Sequence, residues 1–500
     1  MDILAGSPIA LQIASAAVVG IASSVAIILV NQRTRKNGEP PLVAGWVPYL
    51  GVAPDYGKDA ARFLNEAREN YGPIFTIHLA GRRMTFVLDP QAVPAFYRNK
   101  TITFEEIEFD ILENAFQARG IRDLNQHLRQ HYKHLHDPET LRAQSARYHQ
   151  ILEGILLRAA TRLNPNHVDE EGWITGGVWS DATRWLFDAN LATIFGDGLD
   201  SDAIYEDLTA FDKQFPLAAA GMPDFMLKDA RKAQARIAET MSRRTLDPGN
   251  SLENASKFIK GRSVTLKEHG ATETQAGRLE FTILWAAQTN AMPAAFWTLA
   301  HILTHPHILS AVQSEISNSI TTSTSSTPSP KLQINLQTLP LLDACINESL
   351  RLASSSLSLR VSKLDQELDL KTGDGFRVRK GDYVVVSSHH IHFDPEIYTD
   401  PTKYDPYRFY TPPTADGTKS AASRIPHLPF GGGTQLCPGR FLARNEIKTL
   451  VALILYAYDV KVETTELPPL DQSRFGFGIL PPVGDLEFKY RLRSGILAKE

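Results

Sequence analysis

The most specific signal in this 500-residue chain is Phe430-Gly-Gly-Gly-Thr-Gln-Leu-Cys437-Pro-Gly-Arg-Phe-Leu-Ala443. Its three successive glycines let the backbone take positive φ and approach a flat, bulky group closely. Cys437 precedes a helix that we expect to begin near Gly439, and a helix N-terminus with nearby N–H groups stabilises a thiolate. Such a thiolate is a candidate axial ligand for haem iron. A structural cysteine beside a glycine turn is the alternative, which the spacing disfavours.

Length and composition narrow the class of protein. With 43% apolar and 22% charged residues the chain is globular, and its net charge of −4 gives no reason to expect a nucleic-acid partner. Cys345 and Cys437, 92 positions apart, are the only two cysteines. A disulfide framework, a multi-cysteine zinc module and an iron–sulfur cluster are therefore excluded, and so few thiols suit a reducing compartment.

The N-terminal region predicts a membrane anchor over residues 1–36. Residues 8–30 carry no charge and would form a helix about 34 Å long, enough to cross a bilayer core. Basic residues follow directly and favour the cytosolic side, so the rest of the chain should face the cytosol. A cleaved signal peptide is the alternative. Three prolines in residues 37–51 cannot continue a helix, and we expect a stiff hinge there.

Periodicity predicts a mainly helical fold with a small β-rich part. Helical spacing of apolar residues recurs in two long stretches, and strand-like patterns occur in three short ones. The helical stretches are 105–300 and 440–458, and the strand-like segments are 73–80, 83–88 and 374–387. The Ser- and Thr-rich segment 317–330 cannot build a core and is expected to be a solvated loop. Length alone suggests about three domains, but no linker divides residues 52–500, which we expect to form one domain.

Two further motifs precede the cysteine loop. Glu348-Ser-Leu-Arg351 places an acid and a base three residues apart, on one face of a helix. Tyr404-Asp-Pro-Tyr-Arg-Phe409 adds Arg408 in a proline-bounded loop, which could complete a buried Glu–Arg–Arg cluster. With Glu-x-x-Arg, then Pro-x-Arg-Phe, then the cysteine loop in this order, the chain resembles the cytochrome P450 superfamily.

The resemblance covers residues 38–500 and implies roles for the loop. It makes Cys437 the thiolate ligand of haem b, with Phe430, Gly433 and Gly439 as the other matching positions. Gln435 departs from the family, which usually has a basic residue there, and this puts one customary haem-propionate contact in doubt.

Outside the loop, the resemblance makes Glu348, Arg351 and Arg408 a structural triad that braces the segment carrying the haem ligand. It also places Arg360 at a haem propionate, and a guanidinium suits a carboxylate. The Trp and Arg that usually supply a first-half partner are missing, and residues 131–133 lie in about that region with no contact assigned.

In the resemblance, the segment from Trp285 to Pro293 belongs to the helix that crosses the distal face of the haem. We expect one helix over 278–301, kinked by Pro293, which removes a backbone hydrogen bond. Thr289 replaces the acid of the family and Asn290 replaces its threonine, the pair that handles proton delivery. Asparagine can hold a water by hydrogen bonds but cannot ionise.

Asn290 followed by Pro293 resembles the branch that contains sterol 7α-hydroxylases, sterol 12α-hydroxylase and prostacyclin synthase. The composition of 317–330 is similar to that of fungal chains. The branch implies a sterol-, triterpenoid- or terpenoid-like substrate.

We therefore predict a haem-thiolate monooxygenase of the endoplasmic reticulum membrane that inserts one oxygen atom from O2 into an apolar substrate. No Gly-x-Gly-x-x-Gly or P-loop motif opens a helix, so electrons should come from NADPH–cytochrome P450 reductase. A haem-thiolate isomerase or dehydratase that rearranges an endoperoxide is the second hypothesis, and a non-enzymatic haem-binding protein is the third. His389, His390, His392 and Asp394 also raise a metal-site interpretation, although the corresponding stretch of the superfamily binds no metal.

Overall fold

The computed structural model describes residues 34–47, 49–161, 168–247, 252–322, 332–370, 375–412 and 426–494. The α-helices in these ranges are α1 Ala53–Tyr56, α2 Ala60–Tyr71, α3 Val93–Arg98, α4 Glu105–Asn114, α5 Arg122–Arg129, α6 Pro138–Thr161, α7 Thr183–Phe195, α8 Ser201–Ala219, α9 Lys228–Leu246, α10 Lys257–Glu268, α11 Glu273–Gln288, α12 Ala291–Leu303, α13 Pro306–Ser319, α14 Pro340–Ala353, α15 Ser388–His392 and α16 Arg440–Ala457. The β-strands are β1 Leu42–Val43, β2 Ile74–Leu79, β3 Arg82–Val87, β4 Ile102–Thr103, β5 Ile174–Gly177, β6 Ile320–Thr322, β7 Leu332–Ile334, β8 Leu357–Ser362, β9 Gln366–Leu368, β10 Phe376–Val378, β11 Tyr383–Ser387, β12 Tyr458–Lys461 and β13 Glu487–Leu492.

The chain forms two compact units, and the first comprises residues up to Phe104 together with Leu357–Ile391. Its main sheet has the strand order β1-β2-β3-β11-β8-β4. The predicted hairpin is confirmed, because β2 and β3 pair antiparallel with Phe75 opposite Phe86. The rings of these two buried residues stack with centroids 6.0 Å apart, so this face of the sheet contributes to the core of the unit.

The segment after residue 36 is attached to this sheet. Strand β1 pairs in parallel with β2, and Gly51 pairs with Leu79. Glu39 is 4% exposed and forms ion pairs with Arg83 at 3.1 Å and Arg379 at 2.6 Å. Burial acts to raise the pKa of Glu39, but the Arg379 hydrogen bond and the other contacts lower it to about 2. The predicted hinge is therefore held by a buried, charged carboxylate.

Two other predictions concern segments that lie partly outside the described residues. Residues 1–33 of the predicted anchor are among those not described, and no helix of the described part is long and apolar enough to cross a membrane. The prediction of a loop from residue 317 was wrong at its start. Helix α13 continues to Ser319 because buried Ile308, Val312 and Ile316 keep a helical spacing, and β6 then pairs with β7.

The second unit comprises Glu105–Ser356 and residues from His392 onward. Its core surrounds α12, in which every residue is buried. Helices α7, α14 and α16 pack against α12, and the small sheet β12-β13-β5 covers another part of the unit. A helix that is apolar on all sides is stable only in the interior, so α12 organises the packing of its neighbours.

Helices α6 and α16 enclose an acid. Glu446 is 2% exposed, and its Oε1 has no hydrogen-bond partner among the described residues. The hydroxyl of Tyr148 is equally unpartnered there, and Asn445 Nδ2 donates to Ser145 Oγ at 3.0 Å, so the two helix faces meet. Burial raises the pKa of Glu446 to about 8. The carboxyl group is therefore mainly protonated at neutral pH.

We expect Glu446→Gln to reduce the loss of stability with rising pH. Because the folded pKa of about 8 exceeds the ordinary value of 4.5, the folded state keeps a proton that the unfolded state releases. This stabilising contribution is complete below about pH 4.5 and is lost as the pH rises to about 8, at about 1.4 kcal/mol per pH unit. The melting temperature of the wild type relative to the variant should fall across this window. The exposed Glu463→Gln is the control, and equal slopes for the wild type and Glu446→Gln would contradict the assignment.

Candidate functional site

The cysteine loop is folded on its own backbone. Cys437 N donates to Phe430 O at 3.0 Å, and Gly431 N donates to Leu428 O at 3.1 Å. Gly431 and Gly433 have φ of 69° and 62°, in the left-handed region that favours glycine. The glycines thus let the chain turn back on itself just before the cysteine.

Cys437 lies at the start of α16, as the sequence predicts. Gly439 is the N-cap residue of this helix, and Arg440 Nη1 donates to Cys437 O at 2.9 Å. Burial raises the pKa of the Cys437 thiol, whereas the Gly439 N–H and the Arg440 charge lower it. Cys345, by contrast, is fully buried in α14, and burial raises its pKa to about 12. Of the two cysteines, Cys437 alone is partly accessible.

Glu348 and Arg351 form an ion pair in the interior, where both side chains are fully buried. Arg351 Nε and Nη2 donate to the two carboxylate oxygens at 2.8 and 2.7 Å. Its remaining N–H groups reach the carbonyl oxygens of His392, Pro401 and Lys403, so the guanidinium is satisfied on all sides.

Arg408 is the outer member of this cluster. Its Nε lies 3.4 Å from Glu348 Oε1, and its Nη2 donates to Asp400 O at 3.1 Å. Glu348 Oε1 also accepts from Asp405 N at 3.1 Å. The cluster therefore fixes residues 392–408, which have little regular structure of their own.

His392 connects this cluster to the cysteine loop. Its Nε2 accepts from Leu428 N at 2.9 Å, so its Nδ1 carries the proton and donates to Arg351 O at 3.2 Å. Leu428 O in turn accepts from Gly431, inside the loop. Sequence analysis named His392 only as a possible metal ligand, because a histidine run carries no signal that distinguishes a hydrogen-bond bridge from a metal ligand.

The metal-site interpretation of the histidine run finds no support. His390 contacts Ser387 Oγ through Nδ1 and Ala61 O through Nε2. Burial lowers the pKa of His390 to about 3, which keeps the ring neutral. Among the described residues, no group of three or more His, Cys, Asp or Glu side chains could hold a metal ion.

Arg360 belongs to strand β8 of the first unit and is 6% exposed. Its guanidinium lies 5.4–5.9 Å from the ring centroids of Phe96, Tyr97 and Phe104, and Nη1 donates to Leu359 O at 2.7 Å. Burial lowers the pKa of Arg360, and the nearby Tyr97 acts in the opposite direction. This buried cation can therefore accept an anionic group.

The helix predicted over 278–301 is divided in two. Helix α11 ends at Gln288 and α12 begins at Ala291. The break falls four residues before Pro293, where the proline ring removes a backbone donor and clashes with the preceding turn. Within α11, Ala286 is exposed although Leu284 and Gln288 are buried. Open space therefore borders the helix at Ala286.

Thr289 and Asn290 occupy the break itself. Thr289 is buried, and its hydroxyl donates to Trp285 O at 3.0 Å. Asn290 Oδ1 accepts from Ile479 N at 2.9 Å, and a Cβ on Gly478 would approach this oxygen to 2.0 Å. The structure brings neither side chain into a hydrogen bond with the other in the described region. The side-chain oxygen of Asn290 is therefore bound to the loop 475–480. The Nδ2 of the same amide remains as the group that can bind a ligand.

An aromatic cluster lies beside Ala286 and consists of Phe116, Phe211, Phe215, Phe281, Trp285 and Phe477. The rings of Phe215 and Trp285 stack at 4.1 Å, and Phe477 meets Phe215 edge-on at 5.6 Å. Phe116, Phe211, Phe215 and Phe281 are 0–2% exposed and belong to the core, so the partly exposed rings of Trp285 and Phe477 are the ones that a large apolar molecule can contact.

The chemistry of the available donors fits haem. Cys437 is a soft donor that belongs to no group of three or more possible metal ligands in the described residues, so an iron held here needs a macrocycle to complete its coordination. The glycine-lined loop leaves room at the cysteine, since a Cβ on Gly439 would come no closer than 3.9 Å to Sγ.

Removal of one partner from the buried ion pair should destabilise the protein strongly. Arg351→Ala leaves the Glu348 charge buried and uncompensated, and we expect a loss of about 3–5 kcal/mol in the free energy of unfolding. The control is Arg62→Ala, which breaks an exposed pair with Glu66 and should hardly change the free energy of unfolding. Urea denaturation measures both, and similar costs would show that the cluster contributes no more than a surface ion pair.

Comparison with known proteins gives the same picture over nearly the whole chain. The family model described as Cytochrome P450 matches residues 40–488. Cholesterol 7-alpha-monooxygenase of Cricetulus griseus is 30% identical over 93% of this chain and 96% of its own length. The 5-beta-cholestane-3-alpha,7-alpha-diol 12-alpha-hydroxylase of Sus scrofa is 28% identical over 92% and 94%. Prostacyclin synthase of Homo sapiens is 31% identical over 92% and 95%. These relatives confirm the predicted branch.

The fold has a solved counterpart as well. The retinoic acid-bound cyanobacterial CYP120A1 matches with a TM-score of 0.68 and 19% identity, over 91% of this chain and 99% of that chain. The predicted mainly helical fold with small sheets is confirmed, and the fold and family bind haem through a cysteine thiolate. The chain therefore belongs to the cytochrome P450 family and is an oxidoreductase of the monooxygenase class.

Proposed function

We propose that this P450 hydroxylates a sterol or a similarly sized triterpenoid or terpenoid. The partly exposed rings of Trp285 and Phe477 carry the proposal, because they offer an apolar surface near the helix break and are backed by buried phenylalanine rings. The similarity to two sterol hydroxylases along nearly the whole chain supports the same substrate class. A rigid, flat ring system matches this surface better than a small polar metabolite does.

Cys437 is the proposed ligand of the haem iron, and Phe430, Gly433 and Gly439 shape the loop that presents it. Arg360 would bind a carboxylate of the cofactor, since its buried guanidinium has only aromatic rings and a carbonyl oxygen around it. When bound, haem supplies the activation of oxygen. The buried cluster around Glu348 acts on the chemistry only by fixing the position of the loop.

Asn290 and Thr289 are the proposed polar groups of the reaction. Since Asn290 Oδ1 is bound to Ile479 N, its Nδ2 can donate to a water or a substrate oxygen. An amide cannot ionise, so the proton itself must come from the water that Nδ2 holds. The Thr289 hydroxyl donates to Trp285 O and can accept one hydrogen bond from that water.

Electrons are proposed to come from NADPH–cytochrome P450 reductase. A concave surface lined by Lys133, His134, His136, Asp137, Thr140 and Lys257 adjoins the cysteine loop. His136 Nε2 lies 3.3 Å from Arg440 Nη1, and Arg440 contacts Cys437 O. The cationic side chains would attract an acidic electron donor to this face, with a salt-dependent rate of association.

The proposed location is the endoplasmic reticulum membrane, with residues 1–36 as a single-pass anchor and the catalytic part in the cytosol. Support comes from the uncharged segment 8–30 and from exposed Trp46, Tyr49 and Leu50 shortly after it. Aromatic residues of this kind are common at membrane interfaces.

An isomerase that rearranges an endoperoxide is the second candidate. Similarity to prostacyclin synthase and the absence of a distal acid–threonine pair support it. The sterol hydroxylases are similar over an equal share of the chain, so oxygenation remains the first candidate.

We expect Cys437→Ser to abolish the far-red Soret band of the reduced carbon-monoxide complex, because an alcohol cannot replace the thiolate ligand. Cys345→Ser is the matched control, since it changes the only other cysteine and should keep the band. A normal band in Cys437→Ser would assign the iron ligand to another residue.

The substrate class is tested with the full-length haem protein in lipid vesicles. Cholesterol and a panel of sterols and triterpenoids should displace a water ligand and shift the Soret band, and turnover should require NADPH and the reductase. A lipid endoperoxide supplied without NADPH or reductase should stay unchanged. Rapid conversion of the endoperoxide under these conditions, with no sterol product, would replace oxygenation by isomerisation.

A further inference from the structure

One carboxylate joins three separate elements beside the aromatic cluster. Asp212 of helix α8 accepts at Oδ1 from Trp285 Nε1 of helix α11 at 2.8 Å. The same oxygen accepts from Arg474 Nη2 at 3.0 Å, and Arg474 Nη1 lies 3.0 Å from Oδ2. Arg474 ends a short helical turn, Gln472–Arg474, just before the loop 475–480. The side chains of Arg474 and Asp212 are 10% and 25% exposed, so the contact is largely removed from water.

A proline in α8 adds a third acceptor on the same residue. Pro216 lies four positions after Asp212 and has no N–H, so the backbone oxygen of Asp212 loses its usual helical donor. Arg474 Nη1 donates to this freed oxygen. Arg474 therefore binds both the side chain and the backbone of Asp212, and it satisfies an acceptor that Pro216 exposes.

The contact controls the position of aromatic rings rather than of charges alone. The hydrogen bond from Trp285 Nε1 to Asp212 fixes the indole of Trp285, whose ring lies 4.1 Å from that of Phe215 and stacks on it. Arg474 fixes one end of the loop that carries Phe477, and the bond from Ile479 N to Asn290 fixes the other end. Phe477 stands between these two attachments, among residues with positive φ at Gly476 and Gly478.

We propose that Asp212 is the positioning residue of the substrate-binding side: through Trp285 and Arg474 it sets the aromatic cluster and so selects bulky apolar ligands and retains them. This inference rests on the proposed function in that the substrate binds beside Trp285. Asp212 contacts no reacting atom. Its loss should loosen the attachment of helix α8 and loop 475–480 to α11, while the cysteine loop and its brace stay intact.

The test uses the full-length haem protein and two azole probes that bind through a ring nitrogen. Ketoconazole is bulky enough to contact the aromatic cluster, whereas imidazole is not. In Asp212→Ala, ketoconazole should dissociate at least about tenfold faster, as expected when a buried hydrogen bond to a charged group is lost. The dissociation rate of imidazole should change less than about twofold, since it makes none of these contacts.

A second readout needs no ligand. Hydrogen exchange of the peptides covering 201–219 and 472–480 should become faster in Asp212→Ala, because both segments lose the same attachment. Trp285→Phe keeps an aromatic side chain but loses the indole N–H together with part of the ring volume, so it should reproduce part of the effect. Asp212→Asn, which keeps an acceptor for Trp285 but loses the charge opposite Arg474, should lie between the wild type and Asp212→Ala.

The matched control lies on the same helix. Asp207 pairs with Arg236 of α9, whose side chain is 61% exposed, and it contacts neither Trp285 nor Arg474. Asp207→Ala should leave ketoconazole release and the hydrogen exchange of 472–480 within about twofold of the wild type, because the Asp207–Arg236 pair holds neither Trp285 nor this loop. Equal effects of the two alanine variants, or equal acceleration of both azoles, would refute the positioning role. Because azole binding needs no turnover, failure to oxidise sterols would count against the proposed function alone.

Discussion

The buried carboxylate of Glu348 is the constraint on which the rest of the functional site depends. A charge in the interior is tolerated only when it is paired and fully hydrogen-bonded, and Arg351 provides both. Arg351 then has donors left for carbonyl oxygens of a segment with little regular structure. The pair therefore matters less as a local source of stability than as the fixed point to which residues 392–408 are attached.

Hydrogen bonds connect this ion pair to the cysteine loop. His392 stands between Arg351 O and Leu428 N, and Leu428 is bonded to Gly431 within the loop. Glycines give the loop the freedom to turn, whereas the bridge restricts that freedom to one conformation. The loop therefore holds the thiol of Cys437 in a fixed position, as a ligand to a planar cofactor requires.

The region around Thr289 and Asn290 is organised by the break between helices α11 and α12. Pro293 breaks the long helix at Thr289 and Asn290, and the asparagine fills the break by accepting from Ile479 N. A second proline, Pro216, frees a carbonyl oxygen that Arg474 then binds. Arg474 thus meets the need that the missing N–H of Pro216 creates, and together with the bond from Ile479 N to the Asn290 side chain it ties the loop 472–480 to two helices.

The family, the mainly helical class and the hairpin could be predicted from the amino-acid sequence, because each is encoded by residues close together in the chain. The sequence also indicated the kink, since proline acts on its own helix. Only the folded structure shows that Glu39 is buried in an ion cluster, that His392 bridges the brace to the loop, and that Asp212 meets Trp285 and Arg474. These features depend on residues far apart in sequence, whose proximity follows from packing and leaves no local periodicity or spacing to detect.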